Sequence, residues 1–113
     1  MEEKFYITTA IPYVNSRPHI GFALEAVEAD VVARFMRVQG RDVYFLSGTD
    51  EHGAKISRAA NTAGKDIRDF VSENSGYFKK LLEVLYISND DFIRTSDRVR
   101  HFPGAVELCD RIA

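Results

Sequence analysis

The chain lacks the features that would place it in several broad classes of protein. Cys109 is the one cysteine among its 113 residues, so an internal disulfide and an all-cysteine zinc site are both excluded. The formal net charge of -2 provides no basic field that could hold a nucleic-acid backbone by itself. Its apolar runs are far too short to cross a membrane, and residues 1–4 lead into a mixed polar and aromatic strand instead of a secretory signal. We therefore expect a cytoplasmic protein with no membrane partner.

The first half of the chain predicts a strand, a helix and a second strand. Residues 5–11 (FYITTAI) are rich in aromatic and β-branched side chains, which favours a strand that Pro12 ends. Residues 42–47 (DVYFLS) form a short apolar run, which is typical of a strand covered on both faces. Between them, an amphipathic helix over about residues 20–39 is indicated by apolar residues at spacings of three and four: Leu24, Val27, Val31, Phe35 and Val38. This order predicts a βαβ unit with a right-handed crossover and a parallel sheet.

The second half of the chain adds further helices but little more strand. Helices are predicted over residues 54–63 and 66–85, then a short strand over residues 92–95, then a helix with Pro103 near its first position. Two clear parallel strands are too few for a complete doubly wound sheet. We therefore expect an α/β fold in which residues 1–113 are an incomplete part of one domain, with no internal boundary.

The first candidate site is the sequence PHIGF at residues 18–22, where a loop leaves the first strand and opens a helix. Ligands of open α/β folds bind at the carboxyl ends of the strands, and a helix N-terminus suits phosphate. His19 is able to donate a ring N–H to a phosphate oxygen, and Gly21 leaves room for a flat base against the backbone. The alternative is that His19 caps the helix and Gly21 only permits close packing. These five residues alone favour that alternative.

The second candidate site is the sequence GTDEHG at residues 48–53, directly after the second strand. Asp50 is suited to pairing with an ammonium group, an interaction that strengthens in a dry pocket. One alternative is a solvated acidic turn. Another is a metal site formed by Asp50, His52 and His19, although ligands as close in sequence as Asp50 and His52 rarely converge on one ion. Two polar loops at adjacent strand ends are harder to explain by packing than one, so together they favour a functional site.

These motifs resemble those of the class I aminoacyl-tRNA synthetases. The run TTAIPYVNSRPHIGFALEAVEADVVARF at residues 8–35 resembles their first strand, HIGH loop and first helix. The run FLSGTDEHGAKI at residues 45–56 resembles the second strand and loop of the methionine-specific members. Similarity continues to DDFIRTSD at residues 90–97. The resemblance implies the incomplete N-terminal half of a Rossmann-like, HUP-type catalytic domain that binds nucleotide.

The resemblance implies an ATP site around the first motif. His19 matches the first histidine of the HIGH signature, which contacts the ATP phosphates and is the implied catalytic residue. Gly21 matches the glycine against which adenine packs, and Phe22 occupies the last position of the signature. Asn15 and Glu25 match positions near the nucleotide.

The resemblance also implies a methionine site. Ala10, Ile11 and Tyr13 match the residues at the strand end that line the pocket for the methionine side chain. Asp50 matches the carboxylate that holds the substrate's ammonium group. No residue of this chain is implied as a metal ligand.

The implied reaction is that of a methionine–tRNA ligase. Methionine is activated with ATP and Mg²⁺ to methionyl-adenylate, and the aminoacyl group then passes to tRNA(Met). The family's KMSKS loop, its zinc-bearing insertion and its anticodon-binding domain would lie beyond Ala113, in the remainder of the synthetase chain. We therefore expect any zinc to lie in that part, and the chain alone to have negligible aminoacylation activity.

One position departs from the family pattern. Phe22 stands where the family usually has a second histidine, and phenylalanine cannot donate to a phosphate. Loss of one such donor typically costs about 2.7–4 kcal/mol, or roughly 10²–10³ in rate. Two alternatives stay open, namely an HxGH-type nucleotidylyltransferase and a non-catalytic synthetase-like module that binds nucleotide or amino acid.

Overall fold

A computed structural model describes residues 3–113 as a parallel sheet with four helices. The elements follow in the order β1 (Lys4–Thr8), α1 (Ile20–Val38), β2 (Asp42–Thr49), α2 (Ala54–Thr62), α3 (Ile67–Val84), β3 (Asp91–Arg94) and α4 (Phe102–Ile112). The predicted α/β class is confirmed, and so are the four helices and the short third strand.

The sheet has three strands in the order β1-β2-β3, and both pairs are parallel. β2 is central because its first half pairs with β1, from Asp42 to Leu46, and its second half pairs with β3, from Leu46 to Thr49. β1 ends at Thr8, so the prediction that it runs to residue 11 was wrong. The last ladder bond is donated by the N–H of Thr9 to Leu46, after which the chain leaves the sheet.

Helix α1 packs on the sheet through a face that the apolar pattern did not indicate. Its buried residues are Phe22, Ala26, Asp30 and Ala33. The two alanines are fully buried and let the helix approach β1, β2 and α3 closely. The predicted apolar stripe is instead exposed, from 40% at Val27 to 83% at Val38: Leu24, Val27, Val31, Phe35 and Val38. Helical periodicity was therefore read correctly, but it did not identify the face that packs on the sheet.

A polar anchor joins the middle of α1 to the segment before β3. Asp30 is 8% exposed and accepts hydrogen bonds from the backbone N–H and the hydroxyl of Ser88 and from Nε of Arg34. Burial raises the pKa of the Asp30 carboxyl, but the bonds from Ser88 and Arg34 outweigh that effect and hold its pKa below the usual value. A charged carboxylate thus sets the position of the chain that enters β3.

The hydrophobic core lies between the sheet and its helices. It is formed by residues of the β1–α1 loop, α1, α2 and α3: Val14, Phe22, Ala26, Ile56, Val71, Phe78 and Leu82. Across residues 3–113, no helix is both long enough and apolar enough to pass through a lipid bilayer.

Candidate functional site

The two predicted loops meet at the carboxyl edge of the sheet. Tyr13 and Asp50 form an isolated parallel bridge beyond the ends of β1 and β2. The N–H of Asp50 donates to the carbonyl of Pro12 at 2.9 Å, and the N–H of Val14 donates to the carbonyl of Asp50 at 3.4 Å. These contacts exist because parallel strands end on the same side of a sheet, so each loop borders the other.

Most of the predicted site residues are open to solvent. Asp50 and Glu25 are partly buried, whereas the exposed set comprises Ala10, Ile11, Tyr13, Asn15, His19 and Gly21. Asn74 on α3 holds the backbone of the first loop from inside the protein. Its side chain is buried, and its amide donates to the carbonyl of Val14 at 2.7 Å. Sequence reasoning missed Asn74, although a polar residue within the apolar stripe of α3 is a usable signal.

His19 is the N-cap of α1, as the alternative interpretation of the first motif held. Its Nδ1 accepts the backbone N–H of Gly21 at 3.0 Å. A ring nitrogen that accepts an N–H carries no proton, so the proton of the neutral imidazole is on Nε2. Capping therefore leaves Nε2–H as a donor on an exposed ring at a helix N-terminus, and the two interpretations of His19 are compatible.

Gly21 is required by the position of the His19 ring. A Cβ at residue 21 would lie 2.7 Å from Cε1 and 3.0 Å from Nδ1 of His19. Any side chain would therefore displace the imidazole, even though the helix itself would accept one.

Glu25 holds the segment that leaves β1. Its Oε1 accepts the backbone N–H of Ala10 at 2.6 Å. The carboxylate in the second turn of α1 thus fixes the backbone of a residue predicted to line the methionine pocket.

Phe22 is directed into the core and not toward the open surface. It is 6% exposed, and its ring meets that of Phe78 edge-on with centroids 5.1 Å apart. Position 22 shares the buried face of α1 with Ala26. Its expected contact with ATP therefore has no support in this geometry, and the ring anchors the N-terminus of α1 instead.

The second motif is held in place by residues at the end of β3, namely Arg94 and Thr95. Oδ1 of Asp50 accepts the backbone N–H of His52 at 3.3 Å and lies 3.5 Å from the hydroxyl of Thr95. The Glu51 side chain is fully buried and accepts from Nε of Arg94 at 2.7 Å. Sequence reasoning assigned no role to Arg94 or Thr95, because their proximity to the loop depends on the pairing of β2 with β3.

A cavity of about 600 Å³ lies between the loop of the second motif, α3 and the segment that follows β3. It is lined by Glu51 and His52, by residues of α3 and β3, and by residues from the β3–α4 segment to the start of α4, among them Arg68 and Arg98. None of the predicted ligand-binding residues lines it. Over the described part of the chain, no three histidine, cysteine, aspartate or glutamate side chains are grouped so that they could hold a metal ion.

Comparison with known proteins gives one consistent family. The model of the family described as "tRNA synthetases class I (M)" matches residues 5–106. The methionine–tRNA ligase of Brucella suis is 52% identical over 103 residues, which are 91% of this chain and 20% of that protein. That of Thermotoga maritima is 55% identical over 96 residues, 85% of this chain and 15% of that protein. The chain thus spans about a fifth of the length of the curated relatives it matches.

A solved structure shows the same arrangement of elements. The methionyl-tRNA synthetase of Mycobacterium tuberculosis in complex with methionyl-adenylate superimposes with a TM-score of 0.93 at 45% identity. The match covers 96% of this chain and 21% of that one. The fold is therefore that of the N-terminal part of a class I synthetase catalytic domain.

Proposed function

Because the chain belongs to the class I tRNA synthetases of the methionine type, we propose that it forms the N-terminal part of the catalytic domain of a methionine–tRNA ligase. The observation that carries this proposal is the junction of the two motifs at Tyr13 and Asp50. It places the Asp50 carboxylate, which can accept the substrate's ammonium group, next to the loop that leads to the N-terminus of α1, where a phosphate can bind.

The first motif supplies the ATP side of the proposed site. Nε2–H of His19 donates to a phosphate oxygen, and the α1 N-terminus adds its partial positive charge. Gly21 gives adenine access to the backbone, and exposed Asn15 lies in the same loop. Mg²⁺ arrives with the ATP phosphates, and none of these roles requires a metal ligand from this chain.

The second motif supplies the methionine side of the proposed site. The Asp50 carboxylate accepts the substrate's ammonium group, and Ala10, Ile11 and Tyr13 line the approach to its side chain. With both substrates held, a methionine carboxylate oxygen attacks the α-phosphorus of ATP and pyrophosphate leaves. Positioning and charge stabilisation suffice for such a step, so no nucleophile from the protein is needed.

The exposed apolar residues of α1 support the proposal that the chain is part of a larger catalytic domain. Phe35 and Val31 are 57% and 61% exposed, and neighbouring apolar side chains extend this surface. Contiguous apolar patches of this kind are usually covered in a working protein. We propose that the remainder of the synthetase covers these side chains and provides the tRNA(Met) interface and any zinc site. The whole protein acts in the cytoplasm.

The test is methionine-dependent exchange of pyrophosphate into ATP by the full-length protein. We expect exchange with methionine and little with leucine, and negligible exchange by the 113-residue chain alone. A folded full-length protein that binds ATP but catalyses no exchange would instead support the non-catalytic module. Exchange that does not depend on methionine would contradict the assigned amino acid.

Gly21→Ala should impair ATP use without weakening the fold. The new Cβ displaces the His19 ring, so we expect kcat/KM for ATP to fall roughly ten-fold, as for a misplaced charge-stabilising donor. Stability should change little, since alanine favours a helix by up to about 1 kcal/mol over glycine, while loss of the His19 cap costs about as much. Exchange kinetics and thermal unfolding measure the two effects.

The matched control for that variant is Gly104→Ala, in the first turn of α4, where a Cβ meets nothing within 4 Å. It should leave the kinetics unchanged. In a His19→Ala background, Gly21→Ala should add little. A full additional loss there would assign the effect to adenine packing and not to the His19 ring.

A further inference from the structure

Residues 50–51 and Thr95 share one hydrogen-bonded cluster at the carboxyl edge of the sheet. Thr95 follows β3 directly and is 7% exposed. Its hydroxyl accepts the backbone N–H of Glu51 at 2.8 Å and donates toward Oδ1 of Asp50 at 3.5 Å. One buried hydroxyl therefore links the backbone of the loop to the carboxylate proposed to bind substrate.

Glu51 holds the same loop from inside the protein. Its side chain is turned away from the surface, fully buried, and bonded by Arg94 and by the hydroxyl of Ser96. A buried carboxylate that loses such partners is strongly destabilised. The loop therefore cannot shift relative to the end of β3 without breaking this pairing, which keeps Asp50 and Thr95 within reach of each other.

The two oxygens of Asp50 are consequently different. Oδ1 takes the N–H of His52 and the hydroxyl of Thr95. Oδ2 makes no hydrogen bond to any residue from 3 to 113. Oδ1 is therefore hydrogen-bonded within the protein, and Oδ2 is available to a ligand.

We propose that Thr95 is a positioning residue, whose hydroxyl orients the Asp50 carboxylate so that Oδ2 receives the ammonium group of the amino acid. This role rests on the proposed function, because it concerns the same amino-acid site. Thr95 touches no substrate and acts through Asp50. Glu51 and Arg94 keep the loop in place so that the hydroxyl can act.

Two variants of the full-length protein separate the hydroxyl from the shape of the side chain. Thr95→Val removes the hydroxyl at nearly constant volume, and we expect the KM for methionine to rise roughly ten-fold. The KM for ATP should stay within about two-fold, since His19 and the α1 N-terminus are untouched. Thr95→Ser restores the hydroxyl and should return the KM for methionine close to that of the wild type.

The matched control is Ser75→Ala. Ser75 is 2% exposed, and its hydroxyl is hydrogen-bonded to that of Thr49 at 2.9 Å. This variant therefore also loses a buried hydroxyl, but that hydroxyl is bonded to neither Asp50 nor Thr95. Its KM for methionine should not change. Equal rises in the two variants would overturn the positioning role, because lost stability would then explain both.

A double-variant cycle tests whether Thr95 acts through Asp50. In an Asp50→Ala background, Thr95→Val should change the KM for methionine by less than about two-fold, because the carboxylate it orients is gone. A full ten-fold effect in that background would overturn the proposal.

Amide hydrogen exchange distinguishes failure of this role from failure of the proposed function. The Glu51 N–H donates to the Thr95 hydroxyl, so its exchange should accelerate in Thr95→Val but not in Ser75→Ala, whatever the enzyme activates. Unchanged exchange would overturn the positioning role. A wild type without methionine-dependent pyrophosphate exchange would overturn the proposed function, while faster Glu51 exchange would still support the hold of Thr95 on the loop.

Discussion

Replacing Asp50 with alanine in the full-length protein should raise the KM for methionine by about 100-fold and leave the KM for ATP within about two-fold. The reason is that an ammonium group transferred from water into the site loses its only assigned counter-charge. The backbone bonds of Asp50 to Pro12 and Val14 do not involve its side chain, so the loop should remain folded. Exchange of pyrophosphate into ATP at varied methionine and at varied ATP measures both constants.

Two further variants make the Asp50 result specific. Asp50→Asn keeps the shape of the side chain and removes the charge, so its KM for methionine should fall between those of wild type and Asp50→Ala. Asp110 is exposed on α4, and Asp110→Ala should have no effect. Equal losses for methionine and ATP in Asp50→Ala would refute the assignment of Asp50 to the ammonium group.

Gly48→Ala should cost at least about 3 kcal/mol of stability, at the upper end of the penalty for overpacking. A Cβ at residue 48 would lie 2.1 Å from the carbonyl oxygen of Ile93 and 2.7 Å from its Cγ2. Gly48 pairs with Ile93 in the register of β2 and β3, so the conflict is with backbone and the two strands must separate. The urea midpoint and the soluble yield of the full-length protein measure this loss.

Gly76→Ala is the control for Gly48→Ala. Gly76 lies on the exposed side of α3, where a Cβ meets nothing within 4 Å. Alanine there should stabilise the helix by up to about 1 kcal/mol, so the two glycine substitutions should act in opposite directions. A Gly48→Ala protein with the urea midpoint of the wild type would show that the strands tolerate a side chain at their contact.

The glycines that bracket the second motif illustrate what the sequence indicated and what it did not. A turn-forming role suits Gly53, whose φ of +129° is one that other residues rarely adopt. Gly48 is different, because it lies inside β2 and its requirement comes from β3, more than forty residues later in the chain. Local turn chemistry suggests the first role, and only the pairing of strands reveals the second.

The position of Phe22 shows the same division. As the last residue of the PHIGF motif it was assigned to the nucleotide site, because it matches the last position of the HIGH signature. On a helix, consecutive residues point about 100° apart, so Gly21 is at the surface while Phe22 is in the core. The motif marks the place of the site, but the helix decides which of its residues face the ligand.

By itself, the sequence determined the order and type of the elements and the edge of the sheet where the two motifs meet. Periodicity, caps and strand-forming residues are local properties, and parallel strands carry their loops to one side. The tertiary structure alone decided which face of α1 is buried, which oxygen of Asp50 is engaged, and that Thr95 and Arg94 support the loop. Those outcomes depend on distances between segments far apart in the chain, which no local pattern of residues specifies.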